Sequence, residues 1–207
     1  MAVAVLVAVW RAAAPAPEPR PSAPTSPGGA LAVLAGIPVA PDGTLAGYSR
    51  AQFHLWGDPD RNGCDARNDT LRRDLTAPAA KDGTRGCVIV AGALHDPYTG
   101  RTVAFAKASA DQVPIDHVVP LAAAWRHGAA GWDDGKRARF GNDPAELQAT
   151  TVEANTAKSD RGPASWLPPN PDYLCVYATR YTTILAAWGL SVSPQDRDAL
   201  ARVLAGC

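Results

Sequence analysis

The sequence predicts an α+β fold in which short strands and helices alternate before two helices close the chain. Residues 87–91 and 101–106 are apolar runs on either side of DPYTG, a tight-turn sequence typical of a β-hairpin. Residues 114–121 and 146–151 have the composition of two further short strands. Residues 171–189 repeat apolar side chains at the spacing of an amphipathic helix.

Local signals predict the remaining helices. Helical spacing of aromatic residues marks 48–56, and short helices are expected at 69–75, 121–130 and 152–160. Ser193 is a strong N-cap, because a proline and then an acid follow it within three residues. It predicts a last helix that runs to the C-terminus.

Length and composition fit one domain. The chain has 207 residues, 46% of them hydrophobic, which suits one domain of about 150 to 180 residues. Residues 1–13 begin with an apolar run and predict a signal or hydrophobic segment, too short to span a bilayer as it stands. Residues 14–30 alternate proline with small polar residues and predict an extended linker, which leaves a domain at 31–207. We therefore expect a secreted protein, with tethering to the cell surface as a further option.

The four cysteines favour two disulfides. None of Cys64, Cys87, Cys175 and Cys207 belongs to a CxxC pair, which argues against a structural zinc knuckle. Three pairings are possible, and Cys64–Cys87 with Cys175–Cys207 is favoured because each closes a local loop. Four buried thiols are the alternative.

One segment in the second half of the chain holds the side chains best suited to chemistry. Asp116 and His117 are adjacent in a predicted strand, and Pro120 ends that strand because it cannot continue the ladder. Asn142 lies in a turn further on, and Asn155 follows on a short helix. A strand end allows neighbouring side chains to serve one site.

These residue types suit the hydrolysis of a phosphodiester. A histidine such as His117 can activate water as a general base. The carboxylate of Asp116 and the amide oxygen of Asn155 are hard donors that fit Mg²⁺ with several waters retained. Lys158 and Arg161 are close in sequence and are candidates for holding phosphate.

The motifs DHVVPL, FGNDPAELQAT and ANTAKSDRGPASWLPP resemble the HNH endonuclease family. More closely, the chain is similar to bacterial HNH proteins related to the C-terminal domain of the GmrSD restriction enzyme, over roughly residues 45–207. The resemblance implies a ββα-metal motif at about 112–160, embedded in a mostly helical, disulfide-stabilised domain.

The resemblance also implies a role for each position. It makes His117 the general base, with Asp116 and Asn155 as ligands of a divalent cation, Mg²⁺ or alternatively Mn²⁺. Asn142 is implied to brace the loop or orient the base, and Lys158 to lie beside the scissile phosphate. The last motif residue is asparagine rather than histidine, a variant that favours a hard cation.

The expected substrate is DNA, cut with little sequence specificity. The formal net charge is 0, so we expect modest affinity that salt readily weakens. Arg161 and Arg67 are the candidate substrate-binding residues, although Arg67 also fits a buried ion network that supports the site. The sequence indicates no obligate protein partner.

Two other functions remain open at this level. The first is an exported binding module without catalysis, and the second is a phosphodiesterase acting on RNA or nucleotides. Dependence on a divalent metal separates the first from a nuclease, and a substrate panel separates the second. His54, His95 and His127 lack the spacing of a zinc site and are predicted to be structural or exposed.

Overall fold

A computed structural model describes residues 26–207 of the protein. The signal or hydrophobic segment predicted at 1–13 and most of the linker predicted at 14–30 lie outside the described residues. Helix α1 (Pro27–Ala35) begins inside that predicted linker, because Ser26 caps it and a proline occupies its first position. Residues 27–30, which the sequence predicted to belong to the linker, are therefore helical.

The first half of the domain is built on a three-stranded antiparallel sheet. Helix α2 (Ala66–Asp74) leads directly into β1 (Leu75–Ala80), which pairs with β2 (Ile89–His95). Strand β3 (Thr102–Ala106) then pairs with β2 across the DPYTG turn, which confirms the predicted hairpin. The sequence analysis missed β1, an edge strand interrupted by Pro78.

A second, two-stranded sheet carries the Asp-His pair. Strand β4 (Ile115–His117) pairs antiparallel with β5 (Leu147–Ala149), and helix α5 (Val152–Lys158) follows β5. Helices α3 (Leu121–Arg126) and α4 (Asp134–Gly141) lie between the two strands in sequence. The order strand, strand, helix matches the expected local topology.

Two predictions for this region were wrong in detail. No helix was predicted at the stretch that forms α4, where the carboxylate of Asp133 caps one. Residues 48–56 were predicted to be helical, yet they form only a single 3₁₀ turn at Arg50–Phe53, here named the Arg50 turn. His54 ends that turn in the left-handed conformation, with φ of 44°.

The C-terminal helices form the main core with the helix that opens the domain. Helices α6 (Leu174–Trp188) and α7 (Pro194–Ala205) have the predicted bounds to within a few residues, and α1 packs on both. Ser193 caps α7 as expected, its hydroxyl accepting from the Asp196 amide. The buried side chains of this cluster include Tyr177, Tyr181, Leu185, Trp188, Val118 and Val119.

A smaller hydrophobic cluster lies beneath the three-stranded sheet. It includes Ile115 and Leu147, the first residues of β4 and β5. Strand β4 therefore begins in the smaller cluster, and Val118 immediately after it belongs to the larger one. Asp116 and His117 lie at the junction of the two cores.

The favoured disulfide pairing is confirmed. Cys64–Cys87 joins the start of α2 to the segment before β2, and Cys175–Cys207 joins α6 to the C-terminus. Among the described residues no helix is both long enough and apolar enough to cross a bilayer. The result is a mixed α+β domain held by two covalent clamps.

We expect the Cys175→Ser/Cys207→Ser variant to be destabilised by about 3 kcal/mol, because the open chain gains entropy on unfolding. Urea unfolding followed by circular dichroism would measure the change. Wild-type protein unfolded with a thiol reductant is the control, since it also loses the second bridge and should be less stable still. A variant midpoint equal to that of the oxidised wild type would contradict the expectation.

Candidate active site

The Asp-His pair lines one pocket because the strand that carries it ends there. Asp116 lies opposite Gln148 and His117 opposite Leu147, and ladder pairing stops at that point. The next two amides instead bond to Glu146. The resulting pocket, of about 240 Å³, is lined by Tyr48, Arg50, Asp116, His117, Asn155 and Ser159 among others, and is here named the Asp116 pocket.

The imidazole of His117 is held in one protonation state. Its Nε2 lies 2.9 Å from the carbonyl oxygen of Gly141. A carbonyl oxygen can only accept, so Nε2 carries the hydrogen and donates a hydrogen bond to it. Its Nδ1 is buried and has no hydrogen-bond partner among the described residues. Burial, with a smaller contribution from the positive charges of Arg50 and Lys158, lowers the pKa of His117 to about 3. The ring is therefore neutral near pH 7, with a free lone pair on Nδ1.

The carbonyl that orients His117 is itself fixed by close packing. A Cβ on Gly141 would come within 2.7 Å of the carbonyl oxygen of Phe53, so only glycine allows this approach. The next residue, Asn142, donates to the His54 carbonyl and accepts from the Gly57 amide, both at 2.9 Å. Asn142 thus joins the end of α4 to the loop after the Arg50 turn and does not line the Asp116 pocket.

Lys158 is buried and contacts Asp116 from the interior of the protein. Its side chain is fully buried, with Nζ 2.9 Å from both carboxylate oxygens of Asp116 and 2.7 Å from the carbonyl oxygen of His117. The sequence placed this amine beside a phosphate, whereas the structure directs it into the interior. Lys158 neutralises Asp116 and joins the end of α5 to β4.

Tyr98 and Asp96 support the site from the DPYTG turn, and the sequence analysis missed both. The Tyr98 hydroxyl donates to Asp116 at 2.8 Å. Asp96, fully buried, accepts at 2.8 Å from the hydroxyls of Thr150 and Thr151, which precede α5. The sequence showed these two residues only as part of a tight turn. An acid and an aromatic ring in a turn that was otherwise expected to be exposed were the available signal.

Glu146 fixes the chain where it leaves β4. Its backbone carbonyl accepts from the amide of Val118 and its carboxyl from that of Val119, each at 2.9 Å. Burial raises the pKa of Glu146 well above the usual range, which favours the neutral carboxyl. A rigid exit from β4 holds Asp116 and His117 in their relative positions.

The remaining predicted residues fall in three places. Asn155 is half-buried on α5 and lines the Asp116 pocket with Asp116 and His117. Arg161 is exposed and lines a neighbouring cavity of about 660 Å³. Arg67 is half-buried, lines neither space, and donates at 3.1 Å to the carbonyls of Ala110 and Val113. It holds the segment before β4 through these backbone carbonyls and not through the buried ion network that the sequence analysis left open.

The donor set fits a weakly held, water-rich cation. Within residues 26–207 no three His, Cys, Asp or Glu side chains are grouped to hold a metal. Asp116 and Asn155 nevertheless offer hard oxygen donors to one pocket, which suits Mg²⁺ bound largely through water. The ammonium of Lys158 competes for the same carboxylate, so any cation there would bind with modest affinity.

Comparison of the sequence with known proteins identifies the family of this chain. A profile described as "GmrSD restriction endonucleases, C-terminal domain" matches residues 65–203, more than half of the chain. The chain belongs to this family. A protein of Arthroderma benhamiae, named "Uncharacterized secreted protein", is 39% identical over 207 residues, covering 99% of this chain and 98% of the relative. No solved structure gives a significant match.

Strand β4, strand β5 and α5 all lie within the GmrSD C-terminal match, whereas the Arg50 turn precedes it.

In this GmrSD C-terminal domain, Lys158→Met should cost about 3 to 5 kcal/mol, because it leaves the carboxylate of Asp116 buried and unpaired. The double variant Lys158→Met/Asp116→Asn should recover much of that loss, since no buried charge then lacks a partner. Urea unfolding of the wild type, both single variants and the double variant would measure the coupling. Additive losses would show that the ion pair is absent in solution.

The burial of His117 also predicts a dependence of stability on pH. Its pKa is about 3 in the folded protein and 6.5 in the reference state, so the unfolded chain takes up the proton first as the pH falls. The stability contributed by neutral His117 is complete above about pH 6.5 and is lost as the pH falls towards 3, at up to about 1.4 kcal/mol per pH unit.

Urea unfolding at several pH values should therefore show a shallower dependence for His117→Gln than for the wild type between these limits. His95→Gln is the matched control, because His95 is exposed on the hairpin and should leave the wild-type slope unchanged. Identical slopes for the wild type and His117→Gln would rule out a buried neutral imidazole.

Proposed function

We propose that the protein is a secreted, metal-dependent HNH endonuclease that cuts DNA internally with little sequence specificity. The observation that carries the proposal is the buried, unprotonated Nδ1 of His117, which has no partner among the described residues, on a residue that lines one pocket with Asp116 and Asn155. The element order β4, β5, α5 supports the proposal, because a ββα-metal motif needs two strands and a following helix, and these elements carry Asp116, His117 and Asn155.

His117 would act as the general base. A water in the pocket donates to Nδ1, and the proton passes to this nitrogen as the water oxygen attacks phosphorus. The Gly141 carbonyl continues to accept from Nε2 and so stabilises the imidazolium that forms. An anionic phosphate in the pocket favours the charged ring and raises its pKa from the low value of the free protein.

The other site residues would position and neutralise charge. A single divalent cation on Asp116 and Asn155, Mg²⁺ or Mn²⁺, would offset charge on the phosphate and on the leaving oxygen. Lys158 holds Asp116 from beneath, and Asn142 fixes the carbonyl that orients the base. The bond between phosphorus and the 3′ oxygen would break, and solvent water would protonate the leaving oxygen, which gives a 5′-phosphate and a 3′-hydroxyl.

The proposal of DNA as the substrate rests on the family. The matching family is described by restriction endonucleases, whose substrate is DNA. Arg161 lines the cavity next to the Asp116 pocket, and Asp160 borders both spaces. The net charge of 0 implies weak binding that falls steeply with salt, which suits a nuclease without a fixed recognition sequence.

Secretion is supported by two independent features. The relative that covers nearly the whole chain is named as a secreted protein. All four cysteines form disulfides, which persist in oxidising compartments. We therefore place the reaction outside the cell.

The decisive experiment is relaxation of supercoiled plasmid by wild-type protein and His117→Ala. We expect cleavage with Mg²⁺ that EDTA abolishes, and a loss of at least about a hundredfold in the variant, the usual scale for a general base. His127→Ala is the control, since His127 bonds Asp42 and Ser191 away from the pocket. Equal nicking by wild type and His117→Ala would refute the assignment. Cleavage of RNA in preference to DNA would change the substrate class.

A further inference from the structure

Arg50 is a charged residue of the Asp116 pocket with no role assigned so far. It lines the same pocket as Asp116, His117 and Asn155. Its side chain is exposed and makes no hydrogen bond or ion pair with any described residue. It is also close enough to His117 to lower the pKa of the imidazole.

The charge balance of the pocket singles out this arginine. The carboxylate of Asp116 is already paired with Lys158 at 2.9 Å. The other acid that lines the pocket, Asp160, is paired with Arg126 at 2.9 Å. Neither lining acid is therefore left to pair with Arg50, and its positive charge has no partner among them. A bound anion would supply that partner.

The backbone of Arg50 is fixed relative to the base. Ser49 and Gln52 close a capping box around the Arg50 turn. Phe53 at its end is fully buried, with its ring centroid 6.1 Å from that of Phe140 on α4. The last residue of α4, Gly141, packs on Phe53 and holds His117. One short packed unit thus positions both the backbone of Arg50 and the imidazole of His117.

We propose that Arg50 binds the nonbridging oxygens of the phosphate that is hydrolysed. This inference rests on the nuclease function proposed above and names the group that holds its substrate. A planar guanidinium can donate two parallel hydrogen bonds to a phosphate. The sequence assigned phosphate contact to Lys158, but that amine is buried against Asp116, so Arg50 takes its place. Arg50 lies outside the range 65–203 that matches the family, so a segment that precedes this range in the sequence supplies the phosphate contact.

Kinetics on a DNA oligonucleotide would test the proposal in Arg50→Ala and Arg50→Lys. We expect kcat/KM to fall by at least about tenfold for alanine, the scale of a lost charge-assisted hydrogen bond, and by less for lysine, which keeps the charge. The salt dependence of log(kcat/KM) should also flatten by about one unit for Arg50→Ala, as for one lost phosphate contact. Arg202→Ala is the matched control, because Arg202 is exposed on α7 and removes the same charge.

Binding without turnover separates this inference from the function on which it rests. In a His117→Ala background, fluorescence titration with the same oligonucleotide should show weaker binding for Arg50→Ala and unchanged binding for Arg202→Ala. Equal binding and equal kinetics for the two arginine variants would overturn the assignment of Arg50 while leaving the nuclease intact. A wild type that cleaves no nucleic acid would overturn the nuclease, and the titration would still decide whether Arg50 holds phosphate.

Discussion

The buried ion pair between Asp116 and Lys158 is the constraint on which the site depends. It joins the first and the last element of the strand–strand–helix unit, the strand β4 and the helix α5, across 42 residues of sequence. A charge pair excluded from water is costly unless its remaining hydrogen bonds are satisfied. Tyr98 and the His117 carbonyl supply those bonds, so the DPYTG turn and strand β4 belong to the same network.

The second constraint acts on the imidazole of His117. A neutral imidazole in the interior is useful only if its tautomer is defined, and a single carbonyl defines it here. That carbonyl belongs to a glycine with backbone packed against it, and the following asparagine closes the contact. Orientation of His117 is therefore a property of tertiary packing between α4 and the Arg50 turn, rather than of the strand that carries it.

Sequence patterns predicted the elements with strong periodicity or strong caps, such as the hairpin around DPYTG and the two C-terminal helices. They also located the Asp-His pair, Asn155 and the disulfide pairs. They failed at β1 and α4, whose composition is polar or interrupted by proline, so that packing decides their structure. The position of Lys158 could not be foreseen either, because sequence spacing gives the face of a helix but not what lies opposite it.

Asn142 also bears on where the domain can be divided. Its amide group bonds to His54 and Gly57, which both precede the stretch shared with the GmrSD family. A fragment cut at residue 65 would keep β4, β5 and α5 and yet lose the contacts that fix the end of α4. The first residue of the family match thus lies inside the structural unit, and a shortened chain that keeps these contacts has to retain His54 and Gly57.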